Sequence, residues 1–230
     1  VGFNAGGAIT TGGNNVAMGY NSLATNTVGD RNVAIGEQAL VTLNPATNAD
    51  TYNVGVGYSA GEAITTGINN TLIGALAGDA LTDADYNVAI GIQALGGDTL
   101  GSRSVAIGSG ALQVQNFTTA TNSYNTAIGY DAGNKVTTGI ENVFIGGLTG
   151  DATTDADYNV AVGGQALGDN TVGSKSVAVG YIALTSQNPA TATDMFNTAI
   201  GYQAGANVST ATHNTLIGGL AGDALTIGAS

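Results

Sequence analysis

Carboxylates are the side chains of this sequence whose type and spacing come closest to a chemical site. The segments DALTDAD and DATTDAD each hold three of them in a turn-rich stretch: Asp79, Asp83 and Asp85, then Asp151, Asp155 and Asp157. Ca²⁺ takes roughly six to eight oxygen ligands, which carboxylates and backbone carbonyls supply, although neither segment has the Gly and Glu positions of an EF-hand loop. These aspartates are therefore candidates for calcium binding, with a solvated acidic loop as the alternative.

Catalysis requires reactive groups that converge at short distance, and few are present. The sequence repeats with a period of 72 residues, and the two positions equivalent to the single histidine, His213, hold Glu141 and Asn69. A catalytic base would not occupy a position that varies in this way within one chain. Cysteine is absent, so neither a disulfide nor a thiolate metal site can form. We predict that the protein is not an enzyme and uses no cofactor other than the candidate calcium.

Tyrosines offer a different kind of contact, because five of them directly follow a recurring glycine: Tyr20, Tyr58, Tyr130, Tyr181 and Tyr202. An exposed tyrosine can stack on a sugar ring, and it can equally cover the neighbouring repeat. Both interpretations stay open from the sequence.

Charge and hydropathy restrict the partners. The 230 residues include 16 acidic and 4 basic side chains, which gives a net charge of −12. Nucleic acids and anionic membranes bind through patches of Lys and Arg, so we expect neither as a partner. No apolar run approaches the roughly 20 residues of a membrane-spanning helix, and we expect no span within this segment.

Glycines that follow a Val-Ala-Ile type of triplet define the repeat. They lie at positions 2, 19, 36, 57, 74, 91, 108, 129, 146, 163, 180, 201 and 218. The steps between them are 17 residues, with every fourth complete step lengthened to 21, and together they make the 72-residue cycle. The repeat covers the whole chain.

The phrase Asn-Val-Ala-Ile-Gly is short, β-branched and bounded by Asn and Gly, which is typical of a strand. A repeat this short cannot hold a βαβ crossover, so two or three short strands must form one coil of a parallel β-solenoid that is stabilised by stacking. We predict an all-β chain with a single solenoid domain over residues 1–230 and about 13 coils, a fragment of a longer protein. At ~4.8 Å per coil it would be roughly 60 Å long.

Strand alternation predicts which side chains fill the coil. We expect Val33 and Ile35, with their equivalents, to point inward and the alanine between them to point outward. Small apolar residues on an outer face indicate burial on both sides, hence self-association, with a second layer of the same chain as the competing account. Leu72, Phe144 and Leu216 would interrupt the alanine stripe as knobs.

Asparagine precedes the strand in ten of the twelve repeats that show this position, and Ser104 and Ser176 replace it in the other two. Stacked amides hydrogen-bond along the axis of cross-β structures, and we predict the same ladder here. Its members are Asn15, Asn32, Asn53, Asn70, Asn87, Asn125, Asn142, Asn159, Asn197 and Asn214. The extra residues of the longer steps fall in 41–52, 113–124 and 185–196, which we predict to be protruding loops.

The phrases NVAIG, SVAIGSGAL, SVAVGYIAL and NTAIGYQAG resemble the head repeats of YadA-like trimeric autotransporter adhesins, and equally the repetitive regions of bacteriophage tail fibres. The resemblance implies a left-handed parallel β-roll, self-association as a homotrimer or fibre, and an extracellular place on a cell surface or virion. It also implies attachment to a host glycan or protein. The expected function is a structural and adhesive fibre segment that presents its loops for attachment.

Two other classes of β-solenoid stay as alternatives. A carbohydrate-active β-helix of the tailspike type would need a groove of clustered carboxylates and aromatic rings, whereas this chain distributes both periodically. An ice-binding solenoid would need a flat threonine array on every coil, and Thr-Thr pairs occur mainly at 10–11, 65–66 and 137–138.

Overall fold

β-Strands and turns, without a helix, make up residues 1–227, the part of the chain that the computed structural model describes. The chain divides into two compact units. The first comprises residues 1–110 and 114–123, and the second comprises residues 111–113 and those from 124 onward.

The first unit contains ten short strands. They are β1 (Val16–Met18), β2 (Gly29–Asp30), β3 (Val33–Ile35), β4 (Ala49–Asp50), β5 (Val54–Val56), β6 (Thr71–Ile73), β7 (Val88–Ile90), β8 (Gly101–Ser102), β9 (Val105–Ile107) and β10 (Thr121–Asn122). The three-residue strands pair in chain order as one parallel sheet, the main sheet of this unit. The two-residue strands form the separate parallel pairs β2–β4 and β8–β10.

The second unit contains eight strands of the same kind. They are β11 (Thr126–Ile128), β12 (Val143–Ile145), β13 (Val160–Val162), β14 (Gly173–Ser174), β15 (Val177–Val179), β16 (Thr193–Asp194), β17 (Thr198–Ile200) and β18 (Thr215–Ile217). Its main sheet again joins the three-residue strands in chain order, and β14 pairs with β16.

The register of the main sheets confirms the parallel β-solenoid and its spacing. Val33 pairs with Val54 after a step of 21 residues, and Val54 pairs with Thr71 after a step of 17. The described residues contain twelve main-sheet strands, and therefore about twelve coils instead of the predicted thirteen. The difference arises at Gly2, because only Val1 precedes it and no strand forms there.

A glycine with positive φ ends every main-sheet strand, and we call these residues the strand-end glycines. Their φ values lie between +127° and +141°. A Cβ atom placed on Gly129 would lie 2.4 Å from the carbonyl oxygen of Gly146, the strand-end glycine of the following coil. The coils approach each other too closely here for any side chain, which explains why glycine recurs at this position.

Side chains of the main strands point in the direction opposite to the prediction. Ala34 and Ala161 are fully buried inside their coils, whereas Ile35 and Ile145 on neighbouring positions are 36% exposed. The interior is narrow because the turn after the strand also fills it. Leu40 from that turn is fully buried, and a Cβ placed on Gly55 would lie only 2.8 Å from its Cγ.

Leu72 is one of the three residues predicted to be outer knobs, and it lies in the interior instead. It is fully buried. Cβ atoms placed on Gly61 and Gly78 would lie 2.7 and 2.8 Å from its methyl carbons. The two glycines replace the interior leucines of other coils, so they provide the volume that Leu72 occupies.

Phe144 repeats this arrangement in the second unit. Its ring is fully buried, and Cβ atoms on Gly133 and Gly150 would lie 2.8 and 2.5 Å from ring carbons. Leu216, in the last described coil, is half-buried and lies 2.9 Å or less from Cβ positions on Gly205 and Gly222. The rotation of Leu and Gly through the 72-residue cycle therefore keeps the interior filled at constant volume.

The three inserted stretches protrude only at their tips. Residues 46–48, 118–120 and 190–192 are exposed, but residues on either side of each tip are buried. Both prolines, Pro45 and Pro189, are buried, and their ring carbons would lie 3.1 Å from Cβ atoms on Gly29 and Gly173. The loops are thus anchored onto the short strand pairs that flank them.

Candidate functional site

The asparagines that precede the main strands hydrogen-bond from coil to coil. The backbone N–H of Asn70 donates to Oδ1 of Asn53 at 3.0 Å, and Asn87 donates in the same way to Asn70 at 2.9 Å. The Nδ2 of Asn70 also donates to the carbonyl oxygen of Ala84 at 2.7 Å. Each buried amide therefore uses both ends of its side chain within the protein, which stabilises the stack and leaves little for a ligand.

Serine interrupts this ladder once per cycle, and a glutamine from an inserted loop fills the gap. In the second unit, the Oγ of Ser176 donates to Oε1 of Gln187 at 3.1 Å, and the Nδ2 of Asn197 donates to the same oxygen at 2.9 Å. In the first unit, the Nε2 of Gln115 donates to the Oγ of Ser104 at 3.0 Å. The inserted loops are therefore part of the core hydrogen bonding.

The predicted calcium candidates are turned onto the preceding coil. The Oδ1 of Asp85 accepts the backbone N–H of Ile68, and the Oδ1 of Asp157 accepts that of Ile140, both at 2.8 Å. Their neighbours accept threonine hydroxyls: Asp83 from Thr66, and Asp155 from Thr137 and Thr138. These carboxylates act as caps for the turns beneath them.

Asp79 and Asp151 lie apart from those caps and are half-buried. Burial raises the pKa of both carboxyl groups above the usual value, and the charge of Glu62 adds to the effect at Asp79. Among residues 1–227, no three His, Asp or Glu side chains lie close enough together to hold a metal ion. Calcium binding by the six aspartates stays a prediction.

A column of exposed aromatic and basic side chains occupies the corner before each ladder position, and the sequence analysis missed it. We call it the corner column; every member has a left-handed φ of about 50–65°. Its members in the first unit are Asn14, Arg31, Tyr52, Asn69, Tyr86 and Arg103, and in the second unit Tyr124, Glu141, Tyr158, Lys175, Phe196 and His213. Three of the chain's four Lys and Arg residues are in this column.

The cations of the corner column pack on its aromatic rings. The guanidinium of Arg31 lies 5.8 Å from the ring centroid of Tyr52, and the ammonium of Lys175 lies 5.5 Å from that of Phe196. Each of these cations also pairs with a loop carboxylate, Asp50 at 2.8 Å and Asp194 at 2.6 Å. Hydrogen bonds from the Arg31 guanidinium and from the Tyr52 hydroxyl hold the pKa of Asp50 below its usual value.

The tyrosines that follow the strand-end glycines are exposed, as their position in the turn suggests. Tyr181 and Tyr202 stack on neighbouring coils with ring centroids 5.8 Å apart, and Phe3 stacks on Tyr20 at 5.6 Å. About half of the Tyr181 surface stays accessible. These pairs cover the adjacent coil and present a ring edge to solvent.

Threonines form a second column that the search for Thr-Thr pairs did not reveal. The Oγ1 of Thr65 donates to the carbonyl oxygen of Thr82 at 3.2 Å, and Thr82 donates likewise to Thr99 at 3.1 Å. Their hydroxyls serve the coil contacts, so the column is a structural ladder. No second threonine column accompanies it, because the next position holds Thr66, Asp83 and then Leu100.

A buried carboxylate, Asp98, occupies the position that asparagine holds in the other cycles, Asn26 and Asn170. It accepts hydrogen bonds from Nε2 of Gln115 at 2.6 Å and from the backbone N–H groups of Gly101 and Phe117 at 3.0 and 3.1 Å. Burial raises the pKa of the Asp98 carboxyl above its usual value, although these hydrogen bonds oppose the shift.

The outward face of each main sheet is aliphatic and free of charge. In the first unit its side chains are Val16, Met18, Val33, Ile35, Val54, Val56, Thr71, Ile73, Val88, Ile90, Val105 and Ile107. The second unit has the same pattern of Val, Thr and Ile, and Ile128, Ile145 and Ile200 are 36–40% exposed. Residues 1–227 contain no helix with the length and apolar character of a membrane span.

No family model, curated protein or solved structure matches this chain. The fold and the surfaces therefore define the class of protein: a parallel β-solenoid repeat protein with an aliphatic sheet face and an exposed column of cations and aromatic rings.

Proposed function

We propose that the protein is a structural and adhesive segment of an extracellular fibre. Copies of the chain associate as a homotrimer through the outward faces of their main sheets, and the loop tips and the corner column face the surroundings. The resemblance of the NVAIG phrases to trimeric adhesin heads and phage tail fibres is in keeping with this proposal.

The uncharged outward face is the observation that carries the proposal. Parallel sheets are normally covered on both faces, and their strands then lack the alternation of apolar and polar residues. Here the inner face is covered by the coil's own turns, while Ile35 and Ile73 on the outer face keep 36% and 38% of their surface accessible. Burying them against a second copy would remove apolar surface from water at roughly 25 cal/mol per Å².

The correction to the strand orientation strengthens this argument. A stripe of alanines on the outer face would offer about one methyl group per coil. The structure instead places two β-branched side chains of each strand there, such as Val88 and Ile90. A surface of this width and composition is typical of the core of a homo-oligomeric interface.

Native mass spectrometry and analytical ultracentrifugation of the 230-residue chain test the association. We expect a trimer for the wild type and a folded monomer for Ile73→Lys, because a charge in the middle of the face would be buried without a partner. Ile92→Lys is the matched control, since Ile92 is 57% exposed but follows a strand-end glycine and lies off the sheet face. A wild type that stays monomeric at every concentration would refute the proposal.

The adhesive part needs its own measurement. Binding of the labelled chain to host cells or immobilised glycans should fall when the exposed tips 46–48, 118–120 and 190–192 are replaced by Gly and Ser, and the oligomeric state should not change. Unchanged binding by the tip-replaced chain would remove the loops from the attachment surface.

A further inference from the structure

Arg103 differs from the other cations of the corner column because the protein supplies it with no counter-ion. Arg31 and Lys175 each pair with a loop carboxylate, Asp50 and Asp194. The residue at the same position of the loop beside Arg103 is Asn122, whose Oδ1 accepts the Arg103 Nε–H at 3.1 Å. Within residues 1–227, no carboxylate lies within ion-pair distance of this guanidinium.

The surroundings of Arg103 hold the guanidinium in place and leave its charge open. Its Cζ lies 4.7 Å from the ring centroid of Tyr86, which is 46% exposed. The nearest acidic residue in the sequence of that coil, Asp85, is committed to the backbone N–H of Ile68. Arg103 and Asn122 are both exposed, so the terminal Nη atoms and the amide are accessible from the same side as the ring.

We propose that Arg103, Tyr86 and Asn122 form a binding site for a saccharide that carries one carboxylate, such as a uronic acid residue. The guanidinium binds the carboxylate in bidentate fashion, as Arg does throughout proteins. Tyr86 supplies apolar surface for the C–H groups of the sugar, and the amide of Asn122 hydrogen-bonds a ring hydroxyl. The inference rests on the proposed adhesive function and assigns it a class of ligand.

The charge of the whole chain limits the ligand to a single acidic group. A net charge of −12 repels a polyanion, so a strand of nucleic acid or a heavily sulfated glycan would lose more from repulsion than it gains at one cation. A sugar with one carboxylate meets Arg103 at short range, where the local charge is positive. The Asp50 and Asp194 cycles then represent sites that the protein's own carboxylate already occupies.

Two methyl glycosides that differ only in the carboxylate test the proposal. Methyl β-glucuronide and methyl β-glucoside are titrated into the full chain, and the side-chain N–H signals of Arg103 and Asn122 are followed by NMR. We expect the glucuronide to bind at least about tenfold more tightly, which corresponds to one charge-assisted hydrogen-bond pair. N-acetylglycine, a carboxylate without a sugar ring, should bind more weakly than the glucuronide.

The chain itself offers matched variants. Asn122→Asp should abolish glucuronide binding by installing the counter-ion present in the other cycles, and Asp50→Asn should create a second site at Arg31. Arg103→Gln should abolish binding and leave the fold intact, because the side chain is exposed.

Three results would overturn the assignment: equal affinity for the two glycosides, equal affinity for N-acetylglycine, or full binding by Asn122→Asp. Native mass spectrometry on the same samples separates the two proposals. A trimer that ignores glucuronide refutes only this site, whereas a monomer that also ignores it refutes the fibre segment as well.

Discussion

Replacing a strand-end glycine by alanine tests the close coil stacking more directly than any other change. In Gly129→Ala the new Cβ would lie 2.4 Å from the carbonyl oxygen of Gly146 and 2.6 Å from its carbonyl carbon. Both are backbone atoms, so a whole coil must shift. The φ of +141° adds backbone strain, because side chains rarely tolerate this region.

The cost follows from these two terms. A residue held in a sparsely populated backbone region costs about 1–3 kcal/mol. Overpacking that forces a backbone shift costs about 1–3 kcal/mol more. We therefore expect Gly129→Ala to lower the free energy of unfolding by about 2–6 kcal/mol, a large share of the ~5–15 kcal/mol of a typical domain.

Gly147→Ala is the matched control in the adjacent coil. Its φ is not in the positive region, and a Cβ there would meet nothing closer than a carbonyl oxygen at 4.0 Å. This variant should unfold like the wild type, or be more stable by up to about 1 kcal/mol.

Urea denaturation measures both variants, and hydrogen exchange locates the effect. The Gly146 N–H donates to the carbonyl oxygen of Ile128 at 2.8 Å, and its protection should fall in Gly129→Ala, since coils in a solenoid depend on their direct neighbours. Similar stability of the two variants would refute the reasoning, because the close approach would then carry no energetic consequence.

Three further predictions concern the interior and the carboxylates. Phe144→Ala should cost about 3–5 kcal/mol by urea denaturation, and Phe144→Leu less than about 1.5 kcal/mol, because leucine fills this position in other cycles; equal losses would contradict the volume argument. Burial raises the folded-state pKa of Asp98, so the free energy of unfolding should fall as pH rises from the usual aspartate value through that raised pKa. Asp98→Asn should remove this dependence and so be more stable than the wild type at neutral pH, Asn170→Asp should introduce the same dependence, and parallel pH profiles of wild type and Asp98→Asn would show the sign to be wrong. Ca²⁺ should raise the melting temperature of the wild type but not of Asp155→Ala combined with Asp157→Ala, whereas an identical melt of the wild type in chelator would remove the calcium site.

The spacing of glycines was enough to predict the fold class and the register, because a strand that stacks on its own copy must repeat at the coil length. The direction of the side chains could not be read in the same way. Val33, Ala34 and Ile35 are all apolar, so alternation shows two faces but not which one is inside. Residue size favoured the larger pair for the interior, and the narrow coil reversed that choice.

The corner column illustrates a second limit of the sequence. Arg31 and Tyr52 occupy equivalent corners, yet a 21-residue step separates them, and their 72-residue recurrences appear as two unrelated series. Only the structure aligns the two series on one edge. The deficit of a counter-ion at Arg103 then becomes visible by comparison with Asp50 and Asp194.

The pairing of one bulky interior residue with two flanking glycines has a consequence for how such a gene can change length. Loss of a single coil around Leu72 would bring a glycine next to an alanine coil, or a leucine against a bulky neighbour, leaving a hole or a clash. Duplication or loss of four coils restores every neighbour. Unequal crossing-over should therefore be tolerated in whole cycles of 72 codons, and variants of this gene should differ in size by that increment.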